Sequence, residues 1–180
     1  STSGQYSDGH CGARYPPRSC LVAEPDSSQI SQINQMHHDQ MFRTERTLAF
    51  SPQAVYNAFA TGDVLATWWG PDGFTNEFEV FEFQVGGRWK FVMVGPDGAR
   101  YPNQSVFTAL EPGLRVVIRH DCEPFFTLSV QFTAAHDGTH VLWEQVFDDV
   151  QVARAVRVRV GPANEQNLDR LTRTLERVTP

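Results

Sequence analysis

The sequence predicts an α+β domain in which one antiparallel sheet of about six to seven strands is packed by a long C-terminal helix. Three observations carry this. Six strand-like runs between residues 76 and 147 are cut apart by turn residues, a strand and two short helical patterns precede them, and residues 162–178 hold the stripe of an amphipathic helix. At 180 residues with 41% apolar and 12% aromatic side chains, the chain has material for one core that needs neither metal nor disulfide.

Residues 1–40 are rich in Ser, Gln, Asp, Gly and Pro and nearly devoid of bulky apolar side chains, so they bury too little surface to offset the entropy of ordering them. They are expected to be a disordered or appended extension, with the domain spanning 41–180; a first residue of Ser, and Met36 and Met41 near the change of composition, fit that expectation. From Phe42, FRTERTLAF alternates as a strand does. Ser51 is placed to cap a helix whose first position, Pro52, is where proline is tolerated. Val55, Ala58 and Phe59 recur at helical spacing, Gly62 ends that helix, and DVLATWW reads as a second short helix before Gly70-Pro71.

The runs NEFEVFEFQV, RWKFVMV, RYPNQSVFTAL, RVVIRHD, FFTLSVQFTA and THVLWEQVF follow, with turn chemistry at Gly87, 95–98, 111–113, 122–124 and 136–138, as in an antiparallel meander. Residues 150–161 fit a strand through Val156, Val158 and Val160 and a helix through Ala153, Val156 and Val160; a loop with a short helix is expected there. Beyond it Leu168, Leu171, Leu175 and Val178 form one stripe, with Arg170, Arg173 and Arg177 on other faces. That stripe must cover the sheet.

Period two assigns the faces of the strands. Trp89, Phe91 and Met93 share a side, as do Val116, Ile118 and His120, then Phe126, Leu128, Val130 and Phe132, then Val141 and Trp143, while Arg115, Arg119, Thr127, Gln131 and Glu144 fall opposite. The same parity turns Tyr101, Asn103, His120 and Gln145 towards the aromatic side, where isolated polar groups would orient a bound molecule.

Charge and motif exclude several classes. Fifteen basic against 21 acidic residues give −6, which argues against a general affinity for nucleic acid or anionic lipid. The sequence has neither an 18-residue apolar run nor the apolar core of an export signal, so no membrane span and a cytoplasmic location are expected. Cys11, Cys20 and Cys122 make no disulfide framework. Ser51, Ser105 and Ser129 lack a G-x-S-x-G setting, and His37-His38-Asp39 lacks the i, i+4 spacing that puts two imidazoles on one helical face, so neither serine hydrolysis nor a metal site is expected. Without G-x-G-x-x-G or a P-loop lysine, no cofactor is expected either.

The segments Trp68-Trp69-Gly70-Pro71-Asp72-Gly73-Phe74, Val85-Gly86-Gly87-Arg88-Trp89-Lys90-Phe91-Val92-Met93, Gly95-Pro96-Asp97-Gly98 with Tyr101, and Asn167-Leu168-Asp169-Arg170-Leu171 occur in this order. Together they resemble the activator of heat-shock protein 90 ATPase homologue-like family of the START-like (SRPBCC) superfamily, over about residues 42–178. The resemblance implies a helix-grip fold, in which the curved sheet wraps around the terminal helix and leaves a cavity. The expected lining is Trp68, Trp69, Phe74, Trp89, Phe91, Met93, Tyr101, Asn103, Ile118, His120, Phe126, Leu128, Val130 and Trp143. One of the two adjacent indoles, Trp68 or Trp69, is expected at the cavity mouth, the other beneath it.

Three functions follow as expectations. The first is a non-enzymatic domain holding a hydrophobic or amphipathic small molecule; the second, implied by the resemblance alone, is a partner of a chaperone whose ATPase it stimulates. The third is a cyclase-like or hydrolase-like enzyme in which His120 serves as a base. A monomer and a homodimer are both compatible with the sequence.

Overall fold

The computed structural model describes residues 26–180. Seven strands, β1 (Met41–Leu48), β2 (Thr75–Phe81), β3 (Arg88–Val94), β4 (Arg100–Glu111), β5 (Arg115–His120), β6 (Phe126–Ala135) and β7 (Gly138–Phe147), form one sheet in the order β1-β7-β6-β5-β4-β3-β2. Every pairing is antiparallel. The short helices α2 (Pro52–Ala60) and α3 (Gly62–Trp68) carry the chain from β1, which pairs with β7 at one edge, to β2 at the other. The meander then returns strand by strand, and α4 (Val150–Val178) crosses the concave side. This is the expected helix-grip α+β architecture. Register shifts between Phe78 and Val80 and between Phe107 and Ala109 bend the strands that surround the helix.

Local chemistry accounts for the punctuation. Ser51 Oγ accepts from Ala54 N at 3.2 Å and starts α2 with Pro52 in its first turn. Gly62 does not end α2 as expected; Thr61 caps it and Gly62 opens α3. Gly87 has to be glycine, because a Cβ there would stand 2.0 Å from the Glu82 carbonyl oxygen, and its neighbour Gly86 has φ +79°.

Two apolar clusters hold the domain. In the larger, Leu168, Leu171 and Leu175 of α4 are fully buried with Val55, Phe59, Trp68, Trp89, Val130 and Trp143. In the smaller, Ala153 of α4 packs with Phe42 and Phe147, flanked by Val156 and Val160. Val178, the last member of the expected stripe, is about half exposed.

Two readings of the ends are corrected. Residues 150–161 are no loop: α4 is a single helix of 29 residues, about 43 Å long, with Asp149 as its N-cap. The helical period won because Ala153, Val156 and Val160 face the second cluster. Pro162 removes the bond to the Val158 carbonyl, but Val158 is 81% exposed, so that carbonyl lies where solvent serves it. The stretch 1–40, read as lacking structure, contains a helix, α1 (Ser27–Gln40); its residues 1–25 lie outside those described. Composition missed α1 because it buries nothing. It is set by a capping box of Asp26 and Gln29 and docked by polar contacts, Arg154 to Asp39 at 2.6 Å and Arg157 to the Asp39 carbonyl at 2.7 Å.

Candidate functional site

Between the leucine-rich end of α4 and its Ala153 end, the helix presents Val160, Ala163, Asn164 and Asn167 to the sheet. Those side chains are too short to fill the gap. What remains is a cleft of about 230 Å³, walled by Trp69, Phe91, Met93, Ile118, Phe126, Leu128 and Trp143. Among its lining residues there is no Asp, Glu, Lys or Arg, and His120 is its one ordinary titratable group. A larger groove of about 590 Å³ runs past His38, Phe42, Arg157 and Glu165. It is more polar and holds charged side chains already paired, as when Arg46 takes Glu165, so the smaller cleft is the better candidate.

Of the fourteen residues expected to line a cavity, Trp69, Phe91, Met93, Asn103, Ile118, His120, Phe126, Leu128 and Trp143 meet at this cleft. The other five do not line it. Trp68 is fully buried beneath Trp69 and donates its indole N–H to the Ala58 carbonyl at 3.0 Å. Trp89 is buried between Phe91 and Phe107, with both of which it stacks, and Val130 is core. Tyr101 is 49% exposed and packs against Phe74 outside the cleft, because both lie beside the 95–99 turn that closes the β3–β4 pair. Alternation tells which side of a sheet a residue faces, not how far along the strand the helix reaches.

Half of the cleft residues that sequence reasoning overlooked come from α4: Val160 lies in the stretch read as a loop, whereas Ala163, Asn164 and Asn167 lie in the expected helix but outside its leucine stripe. Ser105 was set aside as a nucleophile, although its parity with Asn103 already placed it on this wall. It is 2% exposed and pairs across the strands with His120.

His120 sits at the polar end. Its ring lies parallel to that of Phe126, centroids 4.4 Å apart. Nδ1 is 2.8 Å from the Pro124 carbonyl oxygen, and Nε2 is 2.8 Å from Asn103 Oδ1 and 3.5 Å from the Cys122 thiol sulfur. Burial pushes the imidazole below its usual pKa and Arg119 adds to the drop, while the bonds to the backbone of Pro124 and Cys122 and the charge of Asp121 oppose it. Both flanking oxygens only accept, so a neutral ring can donate to one of them but not to both. Gln145 lies nearby, its Oε1 accepting from Asn164 at 3.0 Å. Among the described residues no three His, Cys, Asp or Glu side chains gather as a metal site would require, and no helix is long and apolar enough to cross a membrane.

The opposite rim is built by Arg170 and Asn167. Arg170 donates to the carbonyls of Thr67, Trp69, Gly70, Pro71 and Phe74, all within 3.1 Å. Asn167 accepts from Gly70 N at 3.2 Å and donates to the Trp68 carbonyl at 3.0 Å. Gly70 has φ +94°, and a Cβ on it would meet Met93 Cε at 2.6 Å, so this turn follows its path only with glycine. Burial lowers the Arg170 pKa, with Asp72 opposing it.

Comparison with known proteins bears on the family and the fold. The model of the family described as Activator of Hsp90 ATPase homolog 1-like protein matches residues 49–176. A crystal structure from Nitrosomonas europaea superposes with a TM-score of 0.71 at 15% identity, covering 78% of this chain and 96% of its own. A crystal structure from Rhodobacter sphaeroides gives 0.71 at 19% identity over 79% and 96%, and a solution structure of an AHSA1-like protein from Aeromonas hydrophila gives 0.62 at 24% over 76% and 92%. At these identities the likeness extends to the fold. No curated protein matches the chain.

Proposed function

The chain belongs to the Activator of Hsp90 ATPase homolog 1-like family, and on that premise we propose that it is a small-molecule-binding START-like domain whose ligand lies in the cleft between α4 and the sheet. One observation carries the reading: a cleft with aromatic and aliphatic walls, no side chain of fixed charge, and a few polar groups gathered at one end. Apolar walls supply affinity and sparse hydrogen-bonding groups fix orientation. At about 230 Å³ the cleft is smaller than the roughly 300–1,000 Å³ typical of drug-sized ligands, so its occupant is a molecule of one to three rings or a short chain.

The test uses a neutral fluorophore, N-phenyl-1-naphthylamine. It should bind with blue-shifted emission and quench tryptophan, since Trp69 and Trp143 are walls. Ala163→Phe, which fills the cleft from the half-buried helix side, should abolish binding while circular dichroism and melting temperature remain near the parent's. Binding unaffected by that variant would place the ligand elsewhere.

A second reading, docking on a chaperone, draws on the family's description and on the exposed row Ile30, Ile33 and Met36 of α1. That row lies outside the matched residues 49–176. Stimulation of a heat-shock protein 90 ATPase that survives Ala163→Phe and is lost on Ile33→Asp would favour it.

A further inference from the structure

We propose, building on the small-molecule reading of the cleft, that its ligand is an organic acid, with a carboxylate at the His120 end and a hydrocarbon body between Trp69, Phe91, Met93 and Trp143. The inference starts from what surrounds a buried imidazole. Asn103 Nδ2 donates to the Tyr101 carbonyl at 2.8 Å, which turns Oδ1 towards His120 Nε2. On the other side of the ring, the Pro124 carbonyl oxygen faces Nδ1. A backbone carbonyl only accepts, and so does Oδ1 in this orientation; a ring between two acceptors satisfies both only when both its nitrogens carry protons. The arrangement is built for imidazolium, and the parallel face of Phe126 suits a cation as well.

What the site lacks is a counter-ion. β4 presents Asn103 and Ser105 to this end of the cleft, β6 presents Phe126, β7 presents Gln145, α4 presents Asn164, and the β5–β6 turn presents Cys122 and Pro124. None of these is a carboxylate. The nearest charged groups are Arg119, which is bound to Asp148 at 2.7 Å, and exposed Asp121. His120 is 6% exposed, so burial opposes a charge that the hydrogen bonds favour.

An anion resolves this conflict, and the donors to hold it are present. Gln145 gives its oxygen to Asn164 and keeps its amide N–H groups, and the Ser105 hydroxyl has no partner among the described residues. Both ring nitrogens being engaged, the carboxylate takes these donors and acts on His120 through space. Binding therefore takes up a proton, and affinity falls as pH rises.

Two probes of one shape separate this from the reading on which it rests: 2-naphthoate, and uncharged 2-naphthamide. Titration calorimetry of the whole chain at pH 5.5, 7.0 and 8.5 should show naphthoate weakening about tenfold or more across the range, and naphthamide less than about twofold. Repeating the titration at pH 7.5 in buffers of different ionisation enthalpy should show proton uptake with naphthoate alone. His120→Gln should flatten the naphthoate profile while naphthamide still binds. If that variant does not fold, proton uptake by the unaltered chain decides the matter. Naphthoate and naphthamide with the same flat profile would overturn the acid and leave the cleft reading intact. Binding of neither probe would overturn both.

Discussion

At one rim of the cleft Arg170 and Asn167 commit their donors to carbonyls of the segment 67–74; at the opposite end His120 faces two acceptors, while Ser105 and Gln145 keep donors in hand. Both clusters are polar groups in a largely apolar domain, and both touch the same cleft. The first is complete. The guanidinium and the amide between them bond the carbonyls of Thr67, Trp68, Trp69, Gly70, Pro71 and Phe74, so the WWGPDGF turn is held against α4 and Trp69 is fixed as a wall. The second is incomplete in its donors and its charge. A polar cluster that satisfies itself maintains shape, and one that does not is free to recognise something else.

The contrast is sharpest in stability. Arg170→Met should cost the most, about 3–5 kcal/mol in urea denaturation, because it takes a donor from five carbonyls on one turn, of which only those of Trp69 and Pro71 have another, whereas neighbouring Arg173, 59% exposed, should cost no more than about 0.5 kcal/mol when changed to Ala. An Arg170→Met loss as small as that of Arg173 would make the rim cluster an incidental contact.

A smaller effect separates the clusters by pH. Burial holds the folded pKa of His120 below that of an ordinary imidazole, so the unfolded chain binds the extra proton first. The stability contributed by neutral His120 is present above that unfolded value and is lost as pH falls through the folded one. His120→Gln should therefore lose less stability than the parent between pH 7.5 and 5, and the difference between the two curves cancels the carboxylates they share. Saturating 2-naphthoate should reduce or reverse the parent's decline, since the bound anion favours the proton. Parallel curves for parent and variant would show that His120 does not sense its burial.

The smallest effect belongs to Tyr101, which alternation placed in the cavity and the structure places at its outside. Tyr101→Phe should alter stability by no more than about 0.5 kcal/mol and leave N-phenyl-1-naphthylamine binding unchanged. Weaker probe binding would extend the cleft to the end of the β3–β4 pair.

Strand alternation, the Ser51-Pro52 helix start, the glycine turns and the Leu168, Leu171 and Leu175 stripe are local properties of a chain with one core, so the meander, the order of elements and the inward face of each strand were legible without coordinates. The first helix had a local signal too, the Asp26–Gln29 capping box, obscured by a composition with nothing to bury. Other features depend on distance across the fold. The 150–161 segment satisfied two periods equally, and only the apolar partners Phe42 and Phe147, far away in sequence, made the helix win. The short side chains at 163, 164 and 167 become a cleft only where the helix passes over Ile118 and Leu128, which excludes Val130 and Tyr101 and brings in Ser105. Parity fixes direction because each residue reverses the side of the strand, but depth depends on where a separate element crosses, and the two oxygens facing His120 depend on the path of the β5–β6 turn and the register of β4 against β5.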